Sequence, residues 1–165
     1  MKGCSFTGHR KIDRLHVGKI NELIDRAIAY AYSKGCRKFY VGGALGFDTI
    51  AAKQIILFRM SHPDTELHVV VPCRNQSDGW SYSQVATYEY ILGRADSVEY
   101  LSEEYTDGCM RERNQRLVDL SDILIAYVSR YSSGAAQTVR MAEKAGKTVY
   151  NLYPSLQASA FDKKI

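Results

Sequence analysis

The stretch Lys38-Phe39-Tyr40-Val41-Gly42-Gly43-Ala44-Leu45-Gly46-Phe47-Asp48 decides the fold. A short β-rich run ends in two glycines. Phe47, Ile50, Ala51, Ile55 and Phe58 then recur at helical spacing. A strand that passes through glycines into a helix opens a βαβ unit. Such a loop exposes backbone N–H groups at the positive end of a helix, which is where an anion is held. The spacing G-G-x-x-G is not the dinucleotide fingerprint, and no Lys-Ser or Lys-Thr pair follows to make a P-loop.

The same alternation extends in both directions. Upstream, Cys4 to Thr7 reads as a strand, and Ile20, Leu23, Ile24, Ala27, Ile28 and Ala31 mark a helix ended by Gly35. Downstream, strands are expected at Leu67 to Val71, Ser97 to Leu101, Asp122 to Val128 and Thr148 to Leu152. Helices are expected at Tyr82 to Ala95, Asp107 to Leu120 and Ala135 to Ala145. Apolar strands such as Leu67-His68-Val69-Val70-Val71 suit a sheet covered on both faces. The reading is α/β: a single Rossmann-like domain, doubly wound, with a mostly parallel sheet of about six strands. It spans residues 1–154, followed by a tail at 155–165 that is either loose or a short helix.

Composition narrows the function. The chain has 165 residues, 45% apolar and 24% charged, which excludes a disordered chain. No apolar run reaches the roughly 18 residues of a membrane helix, and no segment reads as a signal peptide. A cytoplasmic protein without a membrane partner is expected. The net charge of +4 admits an anionic ligand without demanding nucleic acid. No His, Cys, Asp or Glu cluster has ligand spacing, so neither a metal nor a cofactor is read. Cys4, Cys36, Cys73 and Cys109 are expected as free thiols, mostly buried. Cys109 stands apart at a helix start, where a thiolate is favoured.

In doubly wound sheets ligands bind at the carboxyl ends of the strands, so the loops there hold the candidate residues. Thr7-Gly8-His9-Arg10 offers a close backbone approach and a guanidinium fork, or else a solvated basic turn. Gly42, Gly43 and Gly46 form the cradle. Asp48 either holds a ribose hydroxyl or supports the first helical turn. Gln76 and Trp80 supply an amide and a stacking face, unless the tryptophan only packs its loop onto the body. Asn114 falls on an apolar helix face with Met110, Leu117 and Val118, and Arg113 lies about 100° round from it. Ser133, Gly134 and Thr138 open the alanine-rich helix, as a phosphate site or as ordinary capping.

Thr7-Gly8-His9-Arg10, Gly42 to Asp48, Pro72-Cys73 with Gln76 and Trp80, and Cys109-Met110 with Arg113-Asn114 together resemble the small bacterial SLOG family. Its superfamily includes DNA-processing protein A and the Lonely guy enzymes. The resemblance runs from about Cys4 to Leu152. It implies a Rossmann-like fold, a site for a nucleotide or nucleotide-derived ligand, and a homo-oligomer. The Lonely guy enzymes are phosphoribohydrolases with the signature P-G-G-x-G-T-x-x-E. In this chain Thr138 stands at the catalytic glutamate, Ala135 at the threonine and Ser133 at a glycine. The leading expectation is therefore a binder acting as sensor or carrier. Phosphate would sit on the Gly8, Gly43 and Gly134 loops, with Arg10 and Arg113 neutralising it. A nucleoside 5′-monophosphate N-glycosidase, using Asp48 or Glu112, is the alternative. Single-stranded nucleic-acid binding is third.

Overall fold

A computed structural model describes residues 2–129 and 132–162. Six strands alternate with six helices. They run β1 (Lys2–Gly8), α1 (Ile20–Ser33), β2 (Cys36–Val41), α2 (Phe47–Ser61), β3 (Glu66–Val71), α3 (Tyr82–Arg94), β4 (Ser97–Tyr100), α4 (Cys109–Asp119), β5 (Ile123–Tyr127), α5 (Gly134–Lys144), β6 (Thr148–Asn151) and α6 (Tyr153–Asp162). Every strand pairing is parallel, so the expectation of a mostly parallel sheet becomes a wholly parallel one. The strand order is β4-β3-β2-β1-β5-β6.

Burial on both faces explains the apolar strands. All five residues of β5 are buried. Ile123, Ile125 and Tyr127 join the main core with Cys4, Phe6, Phe39, Leu67 and Val69. Leu124 points the other way, into a smaller core with Val118 and Ala142. The period-2 alternation thus feeds two cores from one strand. On one face α1 packs on α2 and α2 on α3; on the other α4 pairs with α5. The two sides of β1 follow the same split. Phe6 enters the main core, whereas Ser5 Oγ donates to the Leu117 carbonyl of α4 at 2.7 Å.

Strand and helix limits differ from the expected ones by a residue or two. Two strands start two residues early: β1 at Lys2 instead of Cys4, and β2 at Cys36 instead of Lys38. Arg37 hides the start of β2, because a guanidinium reads as loop. Here it lies over the Tyr32 ring and donates to Asp64 at 2.9 Å. No helix among the described residues is long and apolar enough to cross a membrane. Cys109, expected as the exception among the thiols, is buried like the other three.

The stretch after Pro154 is helical, and the expected boundary at 154 falls inside α6. Met1 and residues 163–165 lie outside the described residues. Leu152 and Leu156 belong to the main core. The Gln157 side-chain oxygen meets Nε2 of the fully buried His16 at 3.0 Å, and His16 Nδ1 meets the Tyr127 hydroxyl at 2.7 Å. That hydroxyl also accepts from the Asp13 backbone N–H at 3.1 Å. One buried phenol therefore ties β5 to the segment after β1, and through His16 to α6. Tyr127→Phe leaves a backbone N–H and a ring nitrogen without this partner, and costs roughly 2 kcal/mol. Denaturant unfolding checks it; a loss below about 0.5 kcal/mol would mean that water replaces the hydroxyl without cost.

Candidate functional site

The sheet changes its direction of winding between β1 and β5. From β1 the chain steps outward through β2, β3 and β4; it then returns to β5 on the other side. The two loops that leave this point diverge and open a crevice. A cavity of about 300 Å³ lies there.

Four segments wall it. From the end of β1 come Thr7, Gly8, His9 and Arg10. From the loop and first turn of α2 come Ala44 and Asp48; from α4 come Met110, Arg113, Asn114 and Leu117; from the start of α5 come Ser133, Gly134 and Ala135. Nine residues expected at the site thus meet on one cavity.

The loops are held in place by backbone bonds. His9 N–H donates to the Tyr127 carbonyl at 3.2 Å, and the His9 carbonyl accepts from Phe47 N–H at 3.1 Å. Gly46 has a φ of 79°, and a side chain there would strike the Arg10 backbone. Glycine is required at this contact for both reasons. His9 Nε2 accepts from the Ser129 N–H at 2.8 Å, which fixes the ring against the loop after β5 and leaves the proton of the neutral ring on Nδ1.

Two charged groups lie at the floor. Arg113 is 5% exposed; its Nη1 donates to the Gly42 carbonyl at 2.6 Å and its Nε to Asn114 Oδ1 at 2.9 Å. That second bond is the partner that the polar Asn114 needs on an otherwise apolar face. Asp48 is also 5% exposed, and its Oδ2 accepts from Ala44 N–H at 3.2 Å. A side chain at position 42 would collide with both Arg113 and Asp48, so Gly42 lets the two groups close over the backbone. Burial pushes the Asp48 carboxyl up to about 6, against the pull of Arg113, the Ala44 N–H and Arg10. Burial also draws the Arg113 guanidinium below its ordinary value, with Asp48 opposing.

The start of α5 supplies donors. Ser133 caps the helix, its hydroxyl accepting from Ala136 N–H at 3.1 Å. The first-turn N–H groups of Gly134 and Ala135 have no acceptor within the helix and lie at its positive end. The cavity therefore joins N–H donors, a buried guanidinium and one carboxylate, a set suited to an oxyanion bearing a hydroxylated neighbour.

The remaining expected residues stand elsewhere. Gln76 donates from Nε2 to the Gly43 carbonyl at 3.2 Å, bracing the second loop from behind. Trp80 packs edge-on against Tyr88, with ring centroids 5.2 Å apart. Gly43 and Gly46 shape the loop without lining the cavity. Thr138 is fully buried and turns its hydroxyl back to the Gly134 carbonyl at 3.0 Å. Glu112 is exposed and away from the cavity, which leaves Asp48 as the carboxylate among the lining residues. Ala44, Met110, Leu117 and Ala135 line it although not expected as site residues. Met110 and Leu117 share a helix face with Asn114, which is the signal that places them together.

Residues 6–156 match the YspA SLOG family. A UPF0398 protein of Bacillus cereus (strain G9842) is 26% identical over 157 residues, 89% of this chain and 85% of that protein. One of Bacillus thuringiensis (strain Al Hakam) shows the same identity and coverage. Among solved structures, DNA processing protein A from Helicobacter pylori, described for its single-stranded DNA binding mode, matches with a TM-score of 0.64 at 19% identity. It covers 90% of this chain and 63% of that one. DNA processing protein A from Streptococcus pneumoniae gives 0.64 at 16% identity, covering 91% of this chain and 50% of that one. This chain thus spans less than two thirds of each of these two proteins, and the shared property is the fold.

The raised Asp48 carboxyl has a stability consequence. The folded state holds this proton up to about pH 6, whereas an unfolded aspartate releases it near 3.8. Stability from this group is therefore present at low pH and is lost as pH rises from about 4 through about 6. Asp48→Asn escapes that loss, so its stability relative to wild type should climb by roughly 2 kcal/mol between pH 4.5 and 7.5. Urea unfolding at pH 4.5 and 7.5 measures it; a difference that does not grow between them overturns the assignment.

Proposed function

Because the chain belongs to the YspA SLOG family, we propose that it binds the phosphate-bearing part of a nucleotide or nucleotide-derived ligand in the cleft between β1 and β5, as a sensor or carrier. One observation carries this reading. Arg113, buried and fixed by the Gly42 carbonyl and Asn114, lies at the floor of a cavity whose rim is backbone from Gly8 and the first turn of α5. A buried guanidinium is costly unless an anion completes it. Phosphate meets the N–H groups of Gly134 and Ala135 on one side and Arg113 and Arg10 on the other. Asp48 accepts from a ribose hydroxyl. A volume of about 300 Å³ stands at the small end of ligand pockets, which favours one phosphate and its sugar.

Turnover would need more than this. An N-glycosidase uses a carboxylate to activate water or to steady an oxocarbenium-like state. Among the described residues lining the cavity Asp48 is the one carboxylate, and its bond to the Ala44 N–H suits holding better than proton shuttling.

A second reading, single-stranded nucleic acid, has its own support. Arg111, Arg140 and Lys144 surround a hollow on the α4 and α5 surface, and Arg111 follows the cleft residue Met110. The DNA processing proteins of like fold point the same way.

Thermal-shift measurements with the nucleoside 5′-monophosphates test the first reading. Saturation at about 100 times Kd should raise Tm by roughly 5–10 °C for a domain of this size. Arg10→Ala, which alters an exposed side chain, should retain the fold and lose most of the shift. A strand binder would instead lose affinity steeply with salt. The absence of any shift with all four monophosphates would overturn the nucleotide reading.

A further inference from the structure

Beyond Arg10 the surface opens into a second cavity of about 570 Å³, between the first turns of α2 and α3. Arg10 lines both cavities, so the ridge between them carries a guanidinium available to either side. Lys11 and Lys53 share this second hollow with it. No acidic side chain lines it, and among the described residues none of the three cations forms an ion pair. Leu45 and Ile50 give it an apolar wall, and Thr87 adds a hydroxyl. Arg10 also acts on Asp48 across the ridge, whereas Lys11 and Lys53 face the hollow with no carboxylate lining it, and together the three cations favour an anion there.

Size points in the same direction. The cleft suits one phosphate and a sugar, and the hollow next to it is larger than the cleft. A ligand confined to the first cavity would leave Lys11 and Lys53 without a role, and Arg10 half used. We propose, resting on the cleft reading above, that the ligand is bipartite. One phosphate sits in the cleft between Gly8 and the start of α5. A second, joined to it through a pyrophosphate bridge at Arg10, lies against Lys11 and Lys53, and its sugar extends along Leu45 and Ile50. The substrate class is then a nucleoside diphosphate joined to a second sugar, larger than a mononucleotide and shorter than a strand.

Isothermal titration decides it. The probes are the four nucleoside 5′-monophosphates; for the base that binds best, its nucleoside diphosphate ribose; and a short single-stranded oligodeoxynucleotide. The protein is the full chain and its Lys11→Glu/Lys53→Glu variant, both changes lying on exposed side chains. The expected result is that the diphosphate ribose binds more tightly than its monophosphate. The variant then weakens the diphosphate ribose about tenfold or more while changing the monophosphate by less than about threefold. Equal affinity for the two, with neither moved by the variant, overturns the second subsite and leaves the cleft reading standing. No binding of any mononucleotide or diphosphate ribose removes the cleft reading and this proposal together. Tightest binding to the oligodeoxynucleotide, with a steep salt dependence, overturns it in favour of a strand.

Discussion

The pairing of β1 with β5 holds the molecule together at the place where its winding reverses. Cys4 to Gly8 runs in register with Ile123 to Tyr127; the two loops still touch at His9 and Ser129 before one leads to α1 and the other to α5. The crevice is a consequence of this pairing, because two parallel strands whose crossovers lie on opposite faces leave a gap above their carboxyl ends. The two faces differ in what they bring to it. Through α2 the main core presents Asp48; through α4 and α5 the smaller core presents Arg113, Asn114 and the N–H groups at the start of α5.

Asp48 and Arg113 are an expensive way to build a floor. Each is a charge removed from water, and burial works against the ionised form of both. Their mutual attraction and the Ala44 and Gly42 backbone groups offset that penalty only in part. The residual cost is what a bound anion and hydroxyl would recover. Stability is thereby spent at the cleft and drawn from two dense cores elsewhere.

How much of this was legible in sequence differs from feature to feature. The strands could be read because a sheet covered on both faces requires apolar runs such as Ile123 to Tyr127. Their order could not, since parallel neighbours are joined by helices and leave no turn chemistry behind. The loops of the cleft were legible because glycine after a strand has few other uses. Met110 and Leu117 show the limit: apolar residues at helical spacing look the same whether they face a packed core or a cavity wall. Gln76 and Trp80 show the converse. An amide and an indole in a polar loop look like ligand contacts, yet here they reach the Gly43 carbonyl and the Tyr88 ring. Thr138 is a third case, where a hydroxyl is absorbed by the helix's own carbonyl.

The bond between the His9 carbonyl and Phe47 N–H, with Gly46 pressed on Arg10, joins the first loop to the second. Loops tied in this way move as one piece. On the reading proposed above, a ligand arriving at the cleft would meet a mould already cast, so little of its binding energy would go into ordering backbone. Encounter would then proceed without waiting for a slow rearrangement, and discrimination between such ligands would fall to how fast each one leaves.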